Sequence, residues 1–174
     1  MSKVTDTTGK QAEAFDLIMR KEFALQIVEG VKRLEFRSLS DFYVSRFMHQ
    51  EPDGELYYKG YIEYLHFHDY NKSWFLDVHI EPIQFKLLHP SDADYFHSYG
   101  HYEMDQDIEE FADKDPDKES DEIPGFFCIP IDAIINTSLA DLDELRKEGA
   151  VPVMTIGEAA TKFADRLKVR QQNQ

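Results

Sequence analysis

Between residues 15 and 39 the apolar pattern changes period twice. "FDLIMR" (15–20) is a short apolar run of the kind that forms a strand. In "KEFALQIVEG" (21–30), Phe23, Ala24, Ile27 and Val28 recur at helical spacing, and Gly30 supplies a helix stop. "VKRLEFRSL" then alternates, with Leu34, Phe36 and Leu39 on one face and Arg33, Glu35 and Arg37 on the other. Strand, helix and strand in so short a span exclude an all-helical bundle and call for a sheet on which the helix can lie.

The rest of the chain is richer in strands than in helices. Ser40 offers a cap in front of "DFYVSRF", and "QEPDGE" (50–55) reads as a turn. "LYYKGYIEYLHFHDY" (56–70) and "SWFLDVHIEPIQFKLL" (73–88) are β-type; the second sets Phe75, Asp77 and His79 against Leu76, Val78 and Ile80. "GFFCIPI" (125–131) is a further apolar strand. Two helices follow, "SLADLDELRKEG" (138–149) and "TIGEAATKFADRLKVR" (155–170). The second opens with Thr155 and Glu158 at capping-box spacing, and Leu167 extends the apolar face of Ala159, Phe163 and Ala164. No repeats and no regular βαβα alternation are present, which predicts an α+β protein built on a small, mostly antiparallel β-barrel with flanking helices. Residues 1–12 are polar and aperiodic and read as a flexible arm, leaving 13–174 as a single domain.

The formal net charge is −15. Ten acids against Lys114 and Lys118 in the stretch 105–122 contribute −8 of it, so the remainder carries −15 + 8 = −7. Such a field opposes non-specific binding to duplex DNA, while leaving room for a local basic site. The acidic stretch reads as an exposed loop contributing little to stability. A single cysteine, Cys128, excludes a disulfide framework and any metal site needing two thiolates. No apolar run approaches the roughly 18 residues that span a membrane, and "MSKVTDTTGK" lacks the apolar core of a secretory signal, so a cytoplasmic protein with no membrane partner is expected.

The run "KEFALQIVEGVKRLEFR" resembles the signature of the ASCH family, in which an amphipathic helix leads into Gly-x-Lys-x-x-Glu-x-Arg. Those places are Gly30, Lys32, Glu35 and Arg37, and the match spans about residues 15–37. The resemblance implies a PUA-like β-barrel and a part in RNA binding, coactivation or RNA metabolism. Some small members resemble amidohydrolases that deacylate a modified cytidine nucleoside and carry a threonine three residues after the motif lysine. Here that position is Glu35, so the hydroxyl nucleophile is missing. The leading expectation is an ASCH-type module with an electropositive cleft for single-stranded RNA or a modified nucleoside. An amidohydrolase or ribonuclease, and a protein-interaction module using the acidic loop, are the alternatives.

Lys32, Glu35 and Arg37 are the first candidate ligand contacts, since a lysine beside a cleft can hold phosphate or polarise a carbonyl, and Glu35 and Arg37 share a strand face. In the enzyme reading Lys32 is base or electrostatic stabiliser and Glu35 carries the proton. The rings of 57–75 (Tyr57, Tyr58, Tyr61, Tyr64, Phe67, Tyr70, Trp74, Phe75) divide between core and possible base stacking, with Trp74 the one proposed for the site. His66 and His68 are two apart on an expected strand; His97 and His101 are four apart, near Asp94 and Glu103. Without an HExxH pattern, this spacing assigns no metal site, and no cofactor is expected.

Overall fold

The computed structural model describes residues 2–60 and 62–172, with side chains in the last helix described through Asp165 and at Lys168 and Val169. Tyr61 and the Leu167 side chain lie outside the described residues. In chain order the elements are strands β1 (Ser2–Thr5) and β2 (Gln11–Ile18), helix α1 (Lys21–Val28), β3 (Leu34–Ser38), α2 (Asp41–Phe47), β4 (Met48–Gln50), β5 (Leu56–Tyr58), β6 (Tyr64–His68), β7 (Phe75–Ile80) and β8 (Gln84–Leu87). A 3-10 turn at Pro90–Asp92 leads into α3 (Ala93–Ser98) and α4 (Asp105–Glu110), and β9 (Gly125–Thr137), α5 (Leu142–Glu148) and α6 (Ile156–Gln172) complete the chain. This is a mixed α+β architecture with mostly antiparallel pairing. The chain divides into two compact units.

The first unit comprises residues 1–31, 62–80 and 131–174. β1 pairs antiparallel with β2, β2 parallel with β6, β6 antiparallel with β7, and β7 antiparallel with the second half of β9. Among the described residues this path does not close into a barrel. Its two ends are tied by a polar contact, Asn136 Nδ2 of β9 donating to the Thr5 carbonyl of β1 at 3.2 Å, and the Ile156 amide at the start of α6 donates to Asp6 Oδ2 at 2.8 Å. Val4, Ala14, Tyr64, Ile135 and Ile156 pack together as core. Residues 2–12 are therefore a hairpin and not a flexible arm. The isolated polar composition of this segment hides Val4, fully buried, whose burial is worth about 1.5–3 kcal/mol. Asp6 ties the hairpin turn through the amides of Thr8 and Lys10.

Helix α1 ends as its sequence predicts. Its Ala24, Ile27 and Val28 are buried. The Gly30 amide donates to the Ile27 carbonyl and the Val31 amide to the Gln26 carbonyl, a Schellman closure. Gly30 takes φ +80°, and a Cβ there would meet Ala150 at 3.0 Å, so conformation and space both require glycine.

The second unit comprises residues 32–61 and 81–130. β3 and β8 pair antiparallel with the first half of β9, and β4 pairs with β5. Leu34, Leu88, Phe96, Ile108 and Cys128 form its core. The acidic stretch 105–122 is therefore only partly the exposed loop expected of it. Its first residues form α4, whose Ile108 is 3% exposed. Ile108, with Phe111 and the preceding Met104 packed against the same core, anchors the segment. Ile108→Ala is expected to lower stability by about 2–4 kcal/mol in urea unfolding, whereas Asp117→Ala, on the exposed part, changes it by less than about 0.5 kcal/mol.

Candidate functional site

The residues around the start of β3 form one connected charged group in the second unit. Glu35 is 6% exposed. A carboxylate so placed needs compensation, and it receives it from both sides. Lys32 Nζ lies 3.8 Å from Glu35 Oε1 and Arg37 Nη2 lies 3.6 Å from Oε2. These separations are ion pairs rather than hydrogen bonds. Glu35 Oε1 also accepts the Phe36 amide at 2.8 Å. The pairing of Glu35 with Arg37 follows from the two-residue repeat of a strand, as expected from the sequence. Lys32 further sits 5.0 Å from the Phe36 ring centroid.

Arg37 links this group to helix α2. Its Nη1 donates to the Tyr43 hydroxyl at 2.8 Å, while its Nε, buried, has no hydrogen-bond partner among the described residues. Ser40 caps α2 by accepting the Tyr43 amide, the role its position suggested. The helix then sets Phe42 and Arg46 one turn apart on its surface. Arg46 lies over the Phe42 ring at 4.5 Å, and the Phe42 and Tyr43 rings meet edge to face at 5.0 Å. Phe42 is 53% exposed. Arg37, Tyr43, Phe42 and Arg46 thus make a continuous run of cations and rings, of which only Arg37 was singled out from the sequence.

The start of β3 is held by His101, which is buried. Its Nε2 accepts the backbone amides of Arg33 and Leu34 at 3.3 and 3.2 Å, so its proton resides on Nδ1 and is donated to Glu103 Oε1 at 2.5 Å. Burial tends to raise the Glu103 carboxyl, but the hydrogen bonds from His101 and from its own amide, with the Lys32 charge nearby, outweigh this and hold it below the usual range. His97 turns to Asp105 at 2.6 Å, so His97 and His101 do not converge.

The first unit holds further polar groups. Trp74 is 5% exposed and belongs to this unit, whereas Lys32, Glu35 and Arg37 belong to the second. Of the other rings of 57–75, Tyr64 and Phe67 are buried, and Tyr57, Tyr58 and Tyr70 are exposed. Asp132, on β9, is bound on both oxygens: His79 Nδ1 lies 2.8 Å from Oδ2 and Lys162 Nζ 2.5 Å from Oδ1. Lys162 also lines an open, mainly apolar groove on α6 with Met154, Thr155, Thr161, Asp165 and Val169. Asp16, His66 and His68 bring a carboxylate and two imidazoles together, a set able to hold a metal ion. The sequence shows the two histidines at strand spacing but not Asp16, whose approach depends on the parallel register of β2 and β6.

Comparison with family models, curated proteins and solved structures returned no match. No helix among the described residues is long and apolar enough to cross a membrane.

Asp132 offers a direct test of the first unit's electrostatics. Burial works to raise its pKa, but the bonds from His79 and Lys162 and their charges prevail, holding the carboxyl well below its ordinary value. A depressed folded-state pKa stabilises the fold above the unfolded value of about 4 and loses that contribution as pH falls through and below it. Asp132→Asn is expected to cost about 2–4 kcal/mol at neutral pH. The deficit should shrink on acidification below about pH 4, read as the melting-temperature difference between the two proteins across pH.

Proposed function

We propose that this chain is an ASCH-type module, with a PUA-like barrel, that binds single-stranded RNA or a modified nucleoside through the Lys32–Arg37 segment and the aromatic run beside it. The observation that carries the reading is the connection of the motif residues Lys32, Glu35 and Arg37 into a single ion-paired group that continues through Tyr43 to the exposed Phe42 and the half-buried Arg46. Rings and guanidinium planes stack on unpaired bases, and cations meet phosphate or carbonyl oxygens. Three cations, Lys32, Arg33 and Arg37, stand against Glu35 in this part of a strongly acidic chain.

The motif's expected setting supports the same reading. A strand, β2, precedes α1, the helix stops at Gly30, and β3 follows. The Asn136–Thr5 bond between the ends of the β1-β2-β6-β7-β9 path supports a barrel-like first unit. The pairing of Glu35 favours a framing role over proton transfer. One of its oxygens serves Phe36 and Lys32 and the other Arg37, which leaves little capacity for a substrate proton.

The test is a screen of short single-stranded RNAs and modified nucleosides by thermal shift and calorimetry, with hits repeated on variants whose fold is verified by circular dichroism. Lys32→Ala is expected to weaken binding about ten- to a hundredfold, the loss of one partly desolvated charged contact. Phe42→Ala removes a stacking surface worth about 1–3 kcal/mol per base. Absence of any ligand, or a ligand whose affinity ignores both substitutions, overturns the assignment.

A further inference from the structure

Three side chains in the first unit form a group that the proposed RNA or nucleoside site does not use. Asp16 and His66 are register partners on the parallel strands β2 and β6, and His68 follows two residues along β6. Cross-strand partners and residues two apart project to the same face of a sheet. One ligand atom from each of the three lies within 4.8 Å of the others. His68 Nε2 is 3.6 Å from Asp16 Oδ1.

Each of the three is also oriented from behind. His66 Nδ1 is hydrogen-bonded to Asp77, its register partner on β7, which is 3% exposed. His68 Nδ1 donates to the Asp69 carbonyl at 2.7 Å. The Ser2 hydroxyl reaches both oxygens of Asp16, at 2.7 and 2.8 Å. With Nδ1 engaged in each ring, Nε2 is the nitrogen left with a lone pair. Backing of imidazole Nδ1–H by a carboxylate and by a carbonyl is how metal-bound histidines are held.

We propose that Asp16, His66 and His68 bind a divalent first-row transition ion of the Zn2+ type, with Asp77 and Ser2 as positioning residues. Two imidazoles and one carboxylate suit such an ion better than Mg2+ or Ca2+, which prefer all-oxygen shells. Donors around a tetrahedral ion with bonds of about 2.1 Å stand roughly 3.4 Å apart. The His68–Asp16 separation is already close to that, and the full set closes with side-chain shifts of roughly 1 Å. Three protein ligands leave at least one position for water or a substrate oxygen. The side chains of Asp16 and His66 are 35% and 20% exposed, so that position has access to solvent. A bound ion there would polarise a carbonyl or phosphoryl oxygen or activate its water.

The experiment is calorimetric titration of the chelator-treated full chain with Zn2+, paralleled by Co2+ followed through its visible absorption. One saturable ion per chain is expected, with a Co2+ spectrum of four- or five-coordinate type. Asp16→Asn and His68→Ala should each weaken binding by at least about tenfold, and Asp77→Asn by about 10–100-fold through loss of His66 orientation. Asp16, being partly exposed, can be changed with the fold intact, so that variant decides the matter even where His68→Ala unfolds. Absence of saturable binding overturns the proposal. So does binding that is unchanged in Asp16→Asn, or that is abolished by His97→Ala, which would place the ion at the His97–Asp105 pair instead. Lysine and RNA binding play no part in this readout, so its outcome is independent of the proposed module function.

Discussion

Every residue of β9 from Phe127 to Ile135 is buried, and the strand has no solvent face along that length. Its backbone serves β3 and β8 in the second unit and β7 in the first, so each unit's sheet is assembled on it. A strand with this demand must be a nearly unbroken apolar run. The one ionisable side chain with a charge inside it, Asp132, is tolerated because His79 and Lys162 engage both its oxygens. Removing either partner would leave part of a buried charge uncompensated, which costs more than the pair contributes.

The same requirement explains which elements could be read from residues alone. The 15–37 stretch was legible because its period changes sharply and Gly30 marks the junction. Strand β9 was visible only as far as Ile131, since Asp132 and Asn136 interrupt the apolar run and no alternation exists to carry the pattern through. The β1–β2 hairpin was missed because its evidence is tertiary: Val4 is one buried residue among polar ones, and Asp6 reveals its importance only through the Ile156 amide. Ile108 was lost in the same way among the acids around it.

Candidate chemistry divides along a similar line. Glu35 and Arg37 meet because a strand repeats every two residues, so their pairing could be anticipated. His101 could not be placed, because its partners are backbone amides 67 and 68 residues away. Asp16 likewise needs the parallel register to meet His66. Across both units, the histidines mostly find carboxylates or carbonyls: His66 with Asp77, His68 with Asp69, His79 with Asp132, His97 with Asp105 and His101 with Glu103. An acidic composition supplies the carboxylates among these partners, which gives the charge excess a structural use.

Cys128 sits fully buried beside Leu34, Phe96 and Ile108, and burial, aided by Asp92 and opposed by Lys86, pushes its thiol up to about 12. It is the chain's single thiol. A soluble alkylating reagent therefore has nothing to react with while the second unit is closed, since neither access nor thiolate is available. Labelling must wait for opening of that core, and the modification rate becomes a clock for local unfolding of the unit that carries Lys32 and Arg37. The fold has thus installed a native reporter, requiring no engineered probe, for asking whether a ligand held at β3 slows the breathing of the layer beneath it.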